Sequence, residues 1–324
     1  MPKVHLKHAL EPARRELLRA HLDTGVQLSF GVVECPADFE ILVEGFPTLA
    51  DLAASPRLRA VIVPWAGVPL ETIERLKQFP RLTLHNLPYN AAPTAETALA
   101  LLLATAKKTV QHDRAFRRHL WTLPAEHQSG SVLLAGGTAL ILGYGRIGER
   151  LAKACRSFGM GVIAVRRTPH GDPPDQIFGP HALPDLLPKA SAVLVCLPHT
   201  PETTGFLGRR ELALLSPQAI LVNVARGPIV DEEALYQALK AKRIFGAGLD
   251  VWYHYPTDSQ RESRIPCPPS RFPFHELDNV VMSPHRAGWS EETEIDRCLH
   301  LAELLNAVAR NEPLPYRVDL ERGY

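Results

Sequence analysis

"LILGYGRIGERLAKACRSF", residues 140–158, is the stretch that orders everything around it. It sets Gly143, Gly145 and Gly148 in G-x-G-x-x-G spacing between an apolar run and an amphipathic one. Ile147, Leu151, Cys155 and Phe158 share a face at helical spacing, so the stretch predicts strand, tight turn and helix. Each glycine then has its own task. Gly143 turns the chain after the strand, Gly145 lets a pyrophosphate approach the backbone, and Gly148 lets the helix press on the sheet. The first helical N–H groups and the positive end of the helix dipole face the phosphates. Gly143, Tyr144, Gly145, Arg146, Ile147 and Gly148 are the expected ledge for a dinucleotide. The alternative is a tight turn with nothing bound.

On both sides of this turn the chain alternates. Upstream, β-rich runs at 26–30, 40–45, 59–65 and 81–86 are separated by helical patterns at 11–22 and 70–79. A long apolar helix, 94–110, enters through Pro93 and Thr94, and a polar stretch runs on to about 137. Downstream, short continuous apolar runs occupy 138–143, 161–165, 191–197, 219–225, 246–250 and 279–283, as expected of strands buried on both faces. A last helix covers about 290–310. The pattern is that of an α/β protein with two doubly wound parallel sheets. The 253–277 stretch, "YHYPTDSQRESRIPCPPSRFPFHEL", reads as a Pro- and Arg-rich loop, unusually long for a compact domain and so expected to be functional or mobile.

A length of 324 residues favours two domains. The net charge of +1 gives no global field toward nucleic acid or an anionic membrane. The five cysteines are scattered and lack C-x-x-C spacing, which argues against a disulfide framework or zinc site and fits a reducing cytosol. No metal cluster stands out. "MPKVHLKHALEPARREL" has no secretion-signal run, and "ALALLLATA" (98–106) is too short to span a bilayer. The expectation is a cytoplasmic protein without membrane or nucleic-acid partners.

"VIAVRRTP" (162–169) refines the cofactor. A site for NAD usually carries an acid at the end of the second strand, accepting from both ribose hydroxyls and repelling a 2′-phosphate. Here Arg166, Arg167 and Thr168 stand in its place. Guanidinium groups bind phosphate in a fork, so NADP(H) is favoured and NAD(H) remains possible. The plainer reading is two solvated loop arginines.

"LPHTPETTGFLGRRELALLSPQAILVNVARGPIVDEEALYQALKAKRIFGAGLDVW" (197–252) and "NVVMSPHRAGWSEET" (279–293) resemble the D-isomer-specific 2-hydroxyacid dehydrogenase family. The resemblance runs from about residue 60 to the terminal "VDLERGY". It implies two Rossmann-like domains, the cofactor domain (98–294) inserted in a flavodoxin-like substrate domain (1–97 and 295–324), with the active site in the cleft. It implies that Arg226 holds a substrate carboxylate and carbonyl, and that His285 is the acid/base. It places Asp250 at the nicotinamide carboxamide. Leu197, Pro198, His199, Thr200, Thr203, Val224, Ala225, Ala287 and Gly288 join the cofactor contacts, as does His285. The backbone of Trp65, Ala66 and Gly67 cradles the substrate carboxylate. The family's glutamate partner of the histidine is replaced by Tyr255, ahead of Pro256. A phenol can orient the imidazole but adds little charge, so the His285 pKa is expected to be low. Glu262 and Glu276 are the candidate substitutes.

The expected activity is reduction of a small 2-oxo acid, such as glyoxylate or hydroxypyruvate, by a homodimer whose arm is residues about 111–137. Formate or phosphite oxidation on the same fold is an alternative. A nucleotide-binding sensor or scaffold with little turnover is another.

Overall fold

The structure is a computed structural model and describes residues 1–8, 10–121, 130–168 and 176–324. The chain divides into two compact units, Met1–Asn90 with Trp289–Tyr324, and Ala91–Gly288. The sequence reading sets these breaks six or seven residues further along. The first break falls where an apolar helix starts, so that the whole helix belongs with the second unit.

The first unit contains β1 (Lys3–Leu6), α1 (Pro12–Ala20), β2 (Gln27–Phe30), β3 (Ile41–Val43), α2 (Leu49–Ala53), β4 (Ala60–Val63), α3 (Leu70–Lys77) and β5 (Thr83–Asn86). Its sheet has the order β2-β1-β3-β4-β5, all parallel. That is the flavodoxin-like winding. Side chains alternate between two cores, as the strand period requires. Val4, Leu6, Val43 and Ile62 pack on one face with Leu18 of α1. Leu42, Val61 and Val63 pack on the other with Ile73 and Leu76 of α3.

The second unit begins with α4 (Ala91–Ala106) and α5 (Thr109–Phe116). One continuous helix over 94–110 was expected. Lys108 instead adopts the left-handed region (φ 51°) and ends the first helix. Pro93 lies in the first turn of α4, where its missing N–H is tolerated. There follow β6 (Thr138–Leu142), α6 (Arg146–Ser157), β7 (Gly161–Val165), β8 (Gln176–Phe178), α7 (Leu183–Leu186), β9 (Ala192–Val195), α8 (Arg209–Ala213), β10 (Ile220–Asn223), α9 (Glu232–Lys240), β11 (Gly246–Leu249), α10 (Asp258–Glu262) and β12 (Val280–Met282). The 253–277 stretch thus holds a short helix rather than loop alone. α11 (Glu291–Ala309) returns to the first unit, placing Leu301, Leu304 and Leu305 on its sheet.

The second sheet is also parallel throughout, with the order β12-β11-β10-β9-β6-β7-β8. It is a Rossmann-type winding with one added strand, and the order of the strands reverses between β6 and β9. Leu140, Val193 and Leu221 point to a core shared with α9. Ile141, Leu194 and Val222 point to a core shared with α4 and α6. Burial on both faces explains why these strands read as unbroken apolar runs.

Candidate active site

The ledge forms where β6 stops. Gly143 has φ 98°, and a Cβ there would lie 2.6 Å from the Cys196 carbonyl oxygen. Its N–H donates to Val165 O at 2.9 Å, while the Cys196 N–H donates to Leu142 O at 2.8 Å. These bonds gather the carboxyl ends of β6, β7 and β9 at the switch point of the sheet, the usual ligand position in such folds. A Cβ on Gly148 would lie 2.2 Å from Gly143 O, so α6 and the turn touch backbone to backbone. Gly145 is different: a Cβ there would meet nothing within 4 Å. It stands at the start of the twelve-residue α6, which has no side-chain cap. Open space before an uncapped helix N-terminus fits a pyrophosphate. Tyr144 and Ile147 are half-buried against the core below, and Arg146 is exposed.

Arg166 follows β7 directly, its N–H donating to Phe178 O at 3.0 Å. It is half-buried, whereas Arg167 and Thr168 are exposed. Arg167 is engaged by Glu202, an acid that the sequence reading did not weigh. A solvent-facing pair of this kind contributes at most about 1 kcal/mol, so a phosphate dianion can compete for the guanidinium. Beyond β9, Leu197 lies beside Gly143. Thr203 Oγ1 accepts from the Thr200 N–H at 2.8 Å and donates to Pro198 O at 2.7 Å, so this hydroxyl braces the turn. His199 Nε2 meets Thr204 Oγ1 at 3.0 Å.

Arg226 leaves the end of β10 after the buried Val224 and Ala225. Asn223, 1% exposed, holds this exit from below. Its Oδ1 accepts from the Ala225 N–H and its Nδ2 donates to Arg226 O, both at 3.0 Å. Gly227 follows because a Cβ there would lie 2.2 Å from Trp252 O. The Arg226 turn is therefore pressed against the exit of β11. Burial makes the guanidinium less ready to hold its charge than one in water, though it stays protonated.

His285 sits past β12 with φ 56°, an unusual backbone for a histidine. Asp250, wholly buried at the end of β11, fixes that conformation. It accepts from Ser283 Oγ, from the Arg286 N–H at 2.8 Å and from the Ala287 N–H at 3.0 Å. The sequence reading assigned Asp250 only to the cofactor; the structure gives it the task of shaping the histidine loop. Tyr255 lies with its ring 5.4 Å from the His285 ring, tilted by 55°. Its hydroxyl accepts from the Trp252 N–H at 3.0 Å, and burial keeps the phenol neutral by raising its pKa. Tyr255 thus orients the imidazole as an aromatic wall. Burial foremost, then the Arg226 charge, holds the His285 pKa below the ordinary imidazole value, with Asp250 opposing and Arg261 adding to the depression. Asp250, and neither Glu262 nor Glu276, is the carboxylate whose charge reaches the ring. Arg226 also acts on Tyr255 and His199. Arg226, Tyr255, His199 and His285 therefore share one electrostatic neighbourhood. The geometry suits holding an anion while passing a proton. Sequence reasoning missed Asn223 and Ser283; each is a small polar residue at the carboxyl end of a predicted strand, and that position was the available signal.

In the first unit, Trp65, Ala66 and Gly67 follow β4 and are half-buried. Leu87 N–H donates to Trp65 O at 3.2 Å, and Asn86 Nδ2 donates to Ala66 O. The carbonyls are thus turned to the strand neighbour.

A family described as "D-isomer specific 2-hydroxyacid dehydrogenase, NAD binding domain" matches residues 99–287. The chain is 32% identical over 320 residues to a D-3-phosphoglycerate dehydrogenase of Archaeoglobus fulgidus, covering 97% of this chain but 58% of that protein. It is 31% identical over 300 residues to a glyoxylate reductase of Thermococcus gammatolerans, covering 88% and 86%. The chain spans little more than half the length of the first of these relatives. Its structure superposes on a D-isomer specific 2-hydroxyacid dehydrogenase of Xanthobacter autotrophicus Py2 in complex with NADPH and MES, with TM-score 0.82, 28% identity and coverage of 100% and 99%. The chain belongs to the D-isomer specific 2-hydroxyacid dehydrogenase family.

Proposed function

We propose that this protein reduces 2-oxo acids with NADPH. The observation that carries the proposal is the clamped pair: Asn223 fixes Arg226, Asp250 fixes His285, and the Arg226 charge reaches the imidazole. When bound, the nicotinamide supplies hydride. Arg226 accepts the substrate carboxylate in its fork of donors and stabilises negative charge growing on the carbonyl oxygen. His285, as imidazolium, delivers a proton to that oxygen. A depressed pKa makes His285 a stronger acid once it is charged, and restricts the charged form to the acidic side of neutrality.

The uncapped α6 and the open space at Gly145 support pyrophosphate binding, and Arg166 at the end of β7 supports the 2′-phosphate form. The Xanthobacter relative bound to NADPH supports the same choice. Glyoxylate and hydroxypyruvate are the first substrates to try, given the glyoxylate reductase among the relatives. The protein is proposed to work as a homodimer, with the exposed Phe116, Leu120 and Trp121 in its contact surface. The free cysteines accord with a cytoplasmic location.

The test is loss of nicotinamide absorbance when protein and NADPH meet a panel of 2-oxo acids. Formate and phosphite with NADP⁺ form a second arm. Turnover of at least one 2-oxo acid is expected. Turnover confined to formate or phosphite, or NADPH binding without turnover of anything, contradicts the proposal.

A further inference from the structure

Beside His285 the second unit opens a cavity of about 780 Å³. Trp252, Tyr255 and His285 form part of its lining; the loop between His254 and Pro269 supplies most of the rest, including Arg261 and Arg264. None of the residues of the glycine turn, of the Arg166 segment or of the Leu197–Thr204 turn lines it, and neither does Arg226, so His285 is where it meets the candidate active site. The space is therefore separate from the ledge proposed for the dinucleotide. A pocket of this size accommodates far more than a two- or three-carbon acid.

The loop is built rather than slack. Tyr253 and His254 N–H groups both donate to Pro269 O, at 3.1 and 3.0 Å, which closes its two ends. Thr257 accepts from the Gln260 N–H and Gln260 returns the bond to the Thr257 N–H, capping α10. Glu232 of α9 accepts from Ser270 Oγ at 2.7 Å and from the Arg271 N–H at 3.0 Å, anchoring the far base.

The three loop arginines divide by partner. Arg271 pairs with Glu232 at 3.1 Å and packs on the Phe272 ring at 5.0 Å, a structural use. Arg261 and Arg264 have no ion pair with a described carboxylate, and both line the cavity. Glu262, between them in sequence, does not line it. Arg264 occupies a left-handed position (φ 53°) after α10, where glycine would be more comfortable. The Arg261 charge reaches His285.

We propose that this cavity receives the end of the substrate remote from its oxo carbon, and that Arg261 and Arg264 select 2-oxo acids bearing a second anionic group there. The proposal rests on the reading that Arg226 and His285 act on a 2-oxo acid. A carboxylate or a phosphate meets the same two forks of donors.

Matched pairs of substrates test it with NADPH. One pair is 2-oxoglutarate against the uncharged 2-oxopentanoate; the other is O-phosphohydroxypyruvate against hydroxypyruvate. In at least one pair the charged member should have a kcat/KM about 10-fold or more above its partner, mostly through KM. Which pair shows it tells carboxylate from phosphate. That ratio should fall toward one in the double variant Arg261→Ala/Arg264→Ala and in about 0.5 M salt. Arg261→Lys/Arg264→Lys, which keeps the charges and loses the forks, should hold a ratio between those of the parent and the alanine variant, which guards against a merely misfolded alanine variant. Ratios near one in the unaltered protein, or a ratio that persists in the alanine variant, overturn the proposal while leaving 2-oxo acid reduction standing. No turnover of any member defeats both.

Discussion

His285 depends on two neighbours that do opposite things. Asp250 gives up both carboxylate oxygens to shape the loop and only partly offsets the buried imidazole's preference for neutrality. Tyr255 supplies a wall and no charge, because burial keeps its phenol neutral. The sign for pH follows. The proposed reduction needs the imidazolium, burial and Arg226 disfavour it, and so kcat/KM should fall as pH rises through a value below that of an ordinary imidazole. A carboxylate at position 255 would favour the imidazolium. Tyr255→Glu should therefore shift the falling limb of the reduction profile upward by about one pH unit or more. An unmoved limb would show that a charge at position 255 does not reach His285, against this account. Much of this was legible in the residues: Arg226, His285 and the missing glutamate were all expected. The partners were not. Asn223 acts inside its own turn, on Ala225 and Arg226, and was marked only by its place at a strand end. Ser283 reaches Asp250 from 33 positions away and Glu202 meets Arg167 from 35, so no local pattern marks those pairs.

At the scale of elements, the β6–α6 unit makes the most distinctive claim. Its glycines have separable tasks, and single substitutions can tell them apart. Gly148→Ala forces a methyl to within 2.2 Å of a backbone oxygen, so α6 must move. The expected loss is about 2 kcal/mol or more of stability, read as a lower midpoint in denaturant. Gly145→Ala meets no protein atom and needs no unusual φ. Its stability should stay within about 0.5 kcal/mol of the parent, while the Kd for NADPH rises about 10-fold or more, since the methyl projects where the pyrophosphate is to lie. Equal NADPH affinity in Gly145→Ala would place the phosphates elsewhere. Elements with a strong periodic signal were readable: β7 spans the same five residues expected of it. β1 and β8 went unread because each is short and not strongly apolar ("KVHL" and "QIF"). The split of α4 from α5 turns on the backbone angle of one lysine, which composition does not reveal. The expected dimer arm lies partly on 122–129, outside the described residues.

For the whole molecule, both sheets were legible as parallel and doubly wound because their strands are apolar on both faces and alternate with amphipathic helices. The order of strands is what places function. The end of β7 lies next to the glycine turn through the Gly143–Val165 bond, which brings Arg166 within the same crevice as the ledge. Arg166→Asp should remove a donor fork and add a like charge against a 2′-phosphate. The kcat/KM preference for NADPH over NADH is expected to drop about 10- to 100-fold. An unchanged preference would leave the choice of cofactor to other residues. The most direct measurement follows the transferred atom itself. NADPH deuterated at the transferring face of C4 is mixed with the protein and the best 2-oxo acid of the panel, and the product is read by mass spectrometry and chiral chromatography. The account predicts a D-2-hydroxy acid with one deuterium on C2, formed at least about 100-fold more slowly by His285→Ala. A product without the label, or an undiminished rate in that variant, would contradict it.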